Sequence, residues 1–204
     1  GSEMCKETAE GTSTQYNFVD GFQNELTNGK HDYIIGSNNT VSGDSIDKNQ
    51  SNIVFGDNHK LTNQKNNVII GSSDTTDDET KASDVVAIGH NAKVSAEGGV
   101  AIGSGSEATT EKVSGYDPTT KTQSADKTSH AWNATTGAVS IGTSDGTVTR
   151  QINGVAAGTN DTDAVNVAQL KKLGDNTVQY DLNTQKGKIT LAGQDGTTTV
   201  SYTH

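Results

Sequence analysis

Val86-Ala87-Ile88-Gly89 and Val100-Ala101-Ile102-Gly103 are two copies of one phrase, joined by His90-Asn91-Ala92-Lys93-Val94-Ser95-Ala96-Glu97-Gly98-Gly99. Within each copy the side chains alternate as a strand requires, so Val86 and Ile88 point one way and Ala87 the other. The glycine turns the chain where a side chain would obstruct it. Working outward, the phrase recurs as Val139-Ser140-Ile141-Gly142, Ile69-Ile70-Gly71, Val54-Phe55-Gly56 and Ile34-Ile35-Gly36. A divergent first copy, Asn17-Phe18-Val19-Asp20-Gly21 and then Leu26-Thr27-Asn28, matches Asn52-Ile53-Val54-Phe55-Gly56 and then Leu61-Thr62-Asn63. Five residues past the glycine a second apolar position recurs at Leu26, Val41, Leu61 and Val94, with Ala108 as a smaller version.

Successive glycines lie about 15, 20, 15, 18, 14 and 39 residues apart, a short unit with insertions. That unit is too short for a helical hairpin or a propeller blade. It predicts an all-β chain built as a solenoid, each turn holding two short strands and bends of Ser, Asn, Thr and Asp. The coils then stabilise one another through nearest-neighbour contacts.

Composition supports a repeat. Only 29% of the 204 residues are hydrophobic and 4% aromatic, and Leu, Ile, Val and Phe make roughly 18%. A chain this poor in apolar residues is disordered unless it buries the same few in a regular way. One large residue inward per strand leaves the other strand face to be covered, and self-association is the economical cover.

Several function classes fall away. A net charge of −10 and a pI near 4.8 argue against nucleic acid, which needs a basic face. No apolar run is long enough to span a membrane, and no secretory leader is present. Gly1-Ser2 reads as a cloning scar on an excised piece. Cys5 stands alone, so no internal disulfide forms and no Cys-based metal spacing exists. His31, His59, His90, His130 and His204 sit at different offsets from their glycines, so stacking would not align them, and each reads as a surface residue. Gly103-Ser104-Gly105-Ser106 belongs to the repeat and is no phosphate loop. No catalytic, cofactor or metal residues are predicted.

Two excursions interrupt the rhythm. Residues 74–81, holding Asp77, Asp78 and Glu79, read as a solvated loop. A longer insert, about 109–136, carries Tyr116-Asp117-Pro118 and the only tryptophan, Trp132. Tyr116 and Trp132 are the candidate ligand anchors, although Trp132 better suits pinning the insert onto the coils or a neighbouring chain. After Gly146, Asp161 or Thr162 caps a predicted helix that Gly174 ends, with Ala164, Val167, Leu170 and Leu173 as a narrow apolar stripe. Such a stripe suits packing against copies of itself. Residues 177–182 and 188–191 alternate like strands around a turn at 183–187, and a second turn at Asp195-Gly196 leads into 197–202.

Taken together, the Val-Ala-Ile-Gly series, the Tyr116-Asp117-Pro118…Trp132 insert and the run Arg150-Gln151-Ile152…Ala164-Val165-Asn166-Val167-Ala168-Gln169-Leu170 resemble trimeric autotransporter adhesins. The likeness is to a YadA-like head, its head insert motif and the following neck, over about 17–174. It implies a left-handed parallel β-roll in each of three chains and a neck that narrows the head onto a slender stalk. It implies export to the outer surface of a Gram-negative bacterium through a C-terminal barrel that this fragment lacks. The corresponding division is 1–16 N-terminal segment, 17–146 head, 147–174 neck and 175–204 the start of a β-rich stalk domain. Ile35, Phe55, Ile70, Ile88, Ile102 and Ile141 become the expected solenoid-core or trimer residues, and Ile152, Val155, Val165, Val167, Leu170 and Leu173 the neck trimer contacts. The implied partners are the chain itself and a host matrix, host cell receptor or bacterial surface, with no nucleic acid and no direct membrane insertion. A spacer holding a more distal tip is the alternative role. The first four copies depart from the motif, placing Asp20, Ile34, Phe55 and Ile69 where alanine is expected.

Overall fold

The computed structural model describes residues 5–8, 16–76, 79–177, 179–180 and 189–190. Its contacts divide the chain into two units, Gly1–Gln151 and Ile152–His204.

The first unit is a parallel β-solenoid. One seven-stranded sheet stacks β2 (Phe18–Phe22), β4 (Tyr33–Ser37), β6 (Ile53–Phe55), β8 (Val68–Ile70), β10 (Val86–Ile88), β12 (Val100–Ile102) and β16 (Val139–Ser140) in chain order. Facing it, a second sheet runs β1 (Cys5–Thr8), β3 (Asn24–Thr27), β5 (Thr40–Ser42), β7 (Lys60–Thr62) and β9 (Glu79–Thr80), and β11 (Lys93–Val94) pairs separately with β13 (Glu107–Ala108). Each coil donates its backbone N–H groups to the next, as in Glu25 to Asn39 and Thr40 to His59, both 2.8 Å.

Alternation places one residue per strand inside. Ile34, Val54, Ile69, Ala87 and Ala101 from the first sheet meet Leu26, Val41, Leu61, Val94 and Ala108 from the second, all buried. Burying each large aliphatic side chain contributes about 1.5–3 kcal/mol. Register pairs Ile34 with Val19 and Val54, so those two occupy the alanine column, while Asp20 and Phe55 align with Ile35 on the outward column. The expected equivalence of Asp20 and Phe55 with alanine was therefore one residue out of register, and the hidden positions of the early coils are Val19, Ile34, Val54 and Ile69.

Glycines form a spine at one corner. A Cβ on Gly36, at φ +140°, would fall on the carbonyl of Gly56, and one on Gly71 would lie 2.6 Å from the carbonyl oxygen of Gly89. Left-handed asparagines such as Asn38 (φ 61°) and Asn58 (φ 63°) turn the following bend, a conformation asparagine tolerates better than most residues.

Buried polar side chains rung the coils together, which the apolar pattern did not foretell. At the corner entering the first sheet, Asn17, Asp32, Asn52 and Asn67 stack. At the corner leaving it, the Asn24 amide donates to Gly36 O, Asn39 to Gly56 O and the His59 Nε2 to Gly71 O. His59 is thus buried, correcting its expected surface placement, because it stands in the asparagine column.

The other departures are local. The predicted loop at 74–81 ends in a strand, Glu79–Thr80, paired in parallel with β7. Within the long insert, β14 (Tyr116–Asp117) and β15 (Thr122–Gln123) form an antiparallel hairpin. In the second unit, α1 spans Val167–Asp175 and is capped by Asn166, not by Asp161 or Thr162, and Gly174 lies inside it with Asn176 as its C-cap. The Asn166 side chain accepts from the Gln169 N–H while Gln169 reaches back to the Asn166 N–H, a reciprocal cap that outcompetes a lone upstream carboxylate. Ala164 consequently precedes the helix. β17 (Gln179–Tyr180) pairs antiparallel with β18 (Ile189–Thr190). The expected turns at 183–187 and Asp195-Gly196, the strand at 197–202, and Asp77 and Asp78 lie outside the described residues.

Candidate functional site

The solenoid presents two unlike faces. On the seven-stranded sheet, outward columns run Phe18, Tyr33, Ile53, Val68, Val86, Val100, Val139 and Asp20, Ile35, Phe55, Ile70, Ile88, Ile102. Ile35, Phe55, Ile70, Ile88 and Ile102 do not fill the coil: they stand outside it, 38–46% exposed. Ile141, just beyond β16, is half-buried. Single exposed aliphatics are ordinary, but these two adjacent columns, apolar except at Asp20, make a wall roughly 30 Å tall. The second sheet is polar outside, with Glu25, Thr40, Lys60 and Glu79 in one register column and Thr27, Ser42 and Thr62 in the next.

The insert leaves the coils at Thr110 and returns beside it, where the Ala138 N–H donates to Thr110 O and the Gly137 N–H to Glu97 O, both 3.0 Å. Asp126 organises it by accepting from the N–H groups of Thr128 and Ser129, which hold its carboxyl below the usual range. The Asn133 amide donates to Asp126 O and Ser129 O. Tyr116 and Trp132 are both exposed, at 63% and 38%. They form no ring pair; among the described residues the stacked pair is Tyr16 with His31 at 5.2 Å.

In the second unit, Ile152, Val165, Val167, Leu170 and Leu173 are all exposed, and Val155 is half-buried. The Gln169 amide clasps the peptide of Gly158 from both sides, accepting from its N–H at 3.1 Å and donating to its carbonyl at 3.0 Å. The Asn166 amide donates to Val155 O. These two amides fold the segment before the helix against its first turn and were missed by a reading of apolar spacing. The Asn166-x-x-Gln169 spacing was the available signal.

Among the described residues no group of three or more His, Cys, Asp and Glu is placed to hold a metal ion. No helix among them is long and apolar enough to cross a membrane. A hollow of about 230 Å³ lies where the second sheet breaks between β9 and β11, lined by His59, Thr80, Lys81, Lys93, Ser95 and Glu107 among others. Burial pushes the His59 imidazole below its ordinary value, so it is neutral at pH 7 and donates to Gly71 O.

Sequence comparison bears on what these surfaces do. A profile described as the coiled stalk of trimeric autotransporter adhesin matches residues 151–192. The autotransporter adhesin BadA of Bartonella henselae is 57% identical over 61 residues, 30% of this chain and 2% of that protein. The trimeric autotransporter adhesin AtaA of an Acinetobacter strain is 47% identical over 68 residues, 32% of this chain and 2% of its own length. Over these stretches the chain is similar to trimeric autotransporter adhesins. EhaG of Escherichia coli O157:H7, another autotransporter adhesin, is 42% identical over 93 residues, 46% of this chain. The chain spans only 2–5% of the length of these relatives. The collagen-binding domain of the Yersinia adhesin YadA aligns over 78% of the segment and 84% of that domain, at 22% identity and a TM-score of 0.32.

Proposed function

We propose that this chain is the head and neck of a homotrimeric adhesin displayed on a bacterial surface, with a binding rather than a catalytic role. Three solenoids pack side by side through the wall built from Ile35, Phe55, Ile70, Ile88, Ile102 and Ile141. Ile152, Val155, Val165, Val167, Leu170 and Leu173 close around one another in the neck. The observation carrying this reading is the bare seven-strand apolar face, far more extensive than a lone soluble subunit tolerates. Charged and hydroxyl groups of the second sheet, together with Tyr116 and Trp132 of the insert, then face outward toward extracellular matrix, a host cell receptor or another bacterium. Three shallow contacts per fibre, and many fibres per cell, raise avidity well above that of one site. The full-length protein would be held in the outer membrane by a C-terminal barrel.

Sedimentation at micromolar concentration is expected to report a trimer, and Ile70→Asp combined with Ile88→Asp a dissociated or aggregated chain. A compact, stable monomer of the unaltered chain would overturn the assembly. Adhesion is tested in the intact fibre by removing 17–146 and measuring attachment of whole cells to matrix proteins, host cells and sister cells. Loss of attachment to one of these supports a head that binds; unchanged attachment at shorter reach assigns it the role of spacer.

A further inference from the structure

We infer that Arg150 is the end cap of the solenoid: its guanidinium takes the place of the corner that the last coil lacks and holds β16 on the stack. The register carries the argument. At the corners after Gly21, Gly36 and Gly89, a second-sheet N–H donates to the carbonyl three residues past the next coil's glycine: Glu25 to Asn39, Thr40 to His59 and Lys93 to Ser106. At the last coil the rule breaks, and the Glu107 N–H donates instead to Gly142 itself, at 2.8 Å. The three-residue corner is missing, because beyond Gly142 the chain turns away through a loop in which the Thr143 N–H donates to Val148 O. Asp145 fixes that loop, its carboxyl held at about 2 by the Thr143 hydroxyl and by the N–H and hydroxyl of Thr147.

Arg150 reaches back from the end of this loop into the vacated corner. One guanidinium nitrogen donates to Ser106 Oγ at 2.9 Å and to Ile141 O, and the other to Ser104 O at 2.6 Å. Its position on the spine is telling. A Cβ on Gly21, Gly36, Gly56, Gly71 or Gly89 would meet the next glycine's peptide, whereas one on Gly103 would meet the Arg150 guanidinium, 2.9 Å from its central carbon. A planar group with five donors thus substitutes for a peptide unit and satisfies corner carbonyls that another coil would otherwise bond. The arrangement ends the stack without leaving the corner open to a foreign strand. Because the chain continues covalently from residue 151, any tension along it enters the solenoid through this clasp.

The test is amide hydrogen exchange on the full chain, read at Val100, which donates to Ala138 O, and Glu107, which donates to Gly142 O. Ile53 and Val68, bonded to Asn67 O and Val85 O, report the distant coils. Arg150→Ala is expected to speed exchange at Val100 and Glu107 by about tenfold or more, the scale of a lost charged hydrogen-bond set, with Ile53 and Val68 unchanged. Arg150→Lys should restore part of the protection, and Ser106→Ala should give a smaller loss at the same two amides. Should Arg150→Ala fail to fold, Arg150→Lys and Ser106→Ala carry the comparison. Unaltered exchange at Val100 and Glu107, or a rise spread evenly over all coils, would overturn the assignment.

Discussion

The coils before Ser73 and those after Lys81 share one backbone path but are held together by different chemistry. Early coils carry large interior residues, Ile34, Val54, Leu61 and Ile69, and two buried polar ladders at their corners. Later coils carry Ala87, Ala101 and Ala108 inside, and Val85 and Gly99 stand where the first ladder has Asp32, Asn52 and Asn67. The second ladder ends at His59, after β6, and the first one coil later at Asn67, before β8. His59 has no carboxamide oxygen to pass the second one on, and the Asn67 amide nitrogen, fully buried beside Val85, finds no partner among the described residues. The second sheet breaks just beyond, between β9 and β11. The lesson is that a solenoid coil closes either by amide rungs with a wide interior or by small side chains with a narrow one, and that changing from one solution to the other costs a seam.

The spine should be indifferent to this division. Gly56→Ala in the early coils and Gly89→Ala in the later ones both place a methyl group against the next glycine's peptide, at φ +148° and +137°. Each is expected to destabilise by about 4 kcal/mol or to prevent folding, combining left-handed strain with backbone overlap. Chemical unfolding followed by circular dichroism measures it. A large cost at one site and a negligible one at the other would mean that the halves differ in backbone, not only in filling.

The ladders give the sharper contrast, because one substitution can be made at two rungs. Asn52 donates to Asp32 Oδ1, Asn49 Oδ1 and Gln64 O, and Asn52→Val strips all three while leaving Asp32 buried. A loss of about 3 kcal/mol is expected. Asn67→Val removes an unpartnered donor along with the single bond from the Val85 N–H, so its net effect should stay within about 1 kcal/mol. Equal losses in urea unfolding midpoints would show that the ladder is no stronger inside than at its end.

Much of this was legible from residues alone, and the limits have physical causes. The Val-Ala-Ile-Gly period set strand, turn and stacking because those residues have one job each. It could not show which strand face turns inward, since Ile88 and Ala87 are both apolar; only the register reveals that the smaller residue is hidden. The ladders escaped because Asn52 and Asn67 look like ordinary turn residues, their burial visible only once coils are aligned. His59 stands three residues past Gly56, as Asn24 does past Gly21 and Asn39 past Gly36, a column hidden by the change of residue type. Around α1 the stripe was drawn to include Ala164, which precedes the helix, and the cap was missed because a carboxylate was sought where a carboxamide pair closes the turn.

His59 also makes the seam acid-sensitive, with a defined sign. Burial lowers its folded pKa below the ordinary 6.5, while the nearby Asp57 carboxylate opposes the shift. As pH falls through the unfolded value the unfolded chain takes up a proton that the folded chain refuses, so stability falls. Asp32 acts oppositely and lower down: burial raises its folded pKa above 3.8, so its contribution grows as the carboxyl protonates. Stability measured from pH 7 to pH 5 should therefore decline, and His59→Asn, which restores the column's own residue, should abolish most of that decline. A decline of the same size in the variant would place the acid sensitivity elsewhere.

The smallest effect is expected where the most residues are removed. The insert departs at Thr110 and returns at Ala138, one hydrogen bond apart, and its own bonds run chiefly inside it, from Asp126, Lys127 and Asn133. Deleting 112–136 would join Ala108-Thr109-Thr110-Glu111 to Gly137-Ala138-Val139, the same spacing as Val94-Ser95-Ala96-Glu97 to Gly98-Gly99-Val100. A flexible loop adds little closure cost, and groups that touch nothing in the stack contribute little to it, so the shortened chain should unfold within about 1 kcal/mol of the original. If it instead loses several kcal/mol, or its amides at Val100 and Gly137 exchange freely, the insert is a structural strut and Trp132 belongs to the packing of the coils. If stability holds while cell attachment falls, Tyr116 and Trp132 belong to the binding surface, and the narrow alanine coils serve to present them.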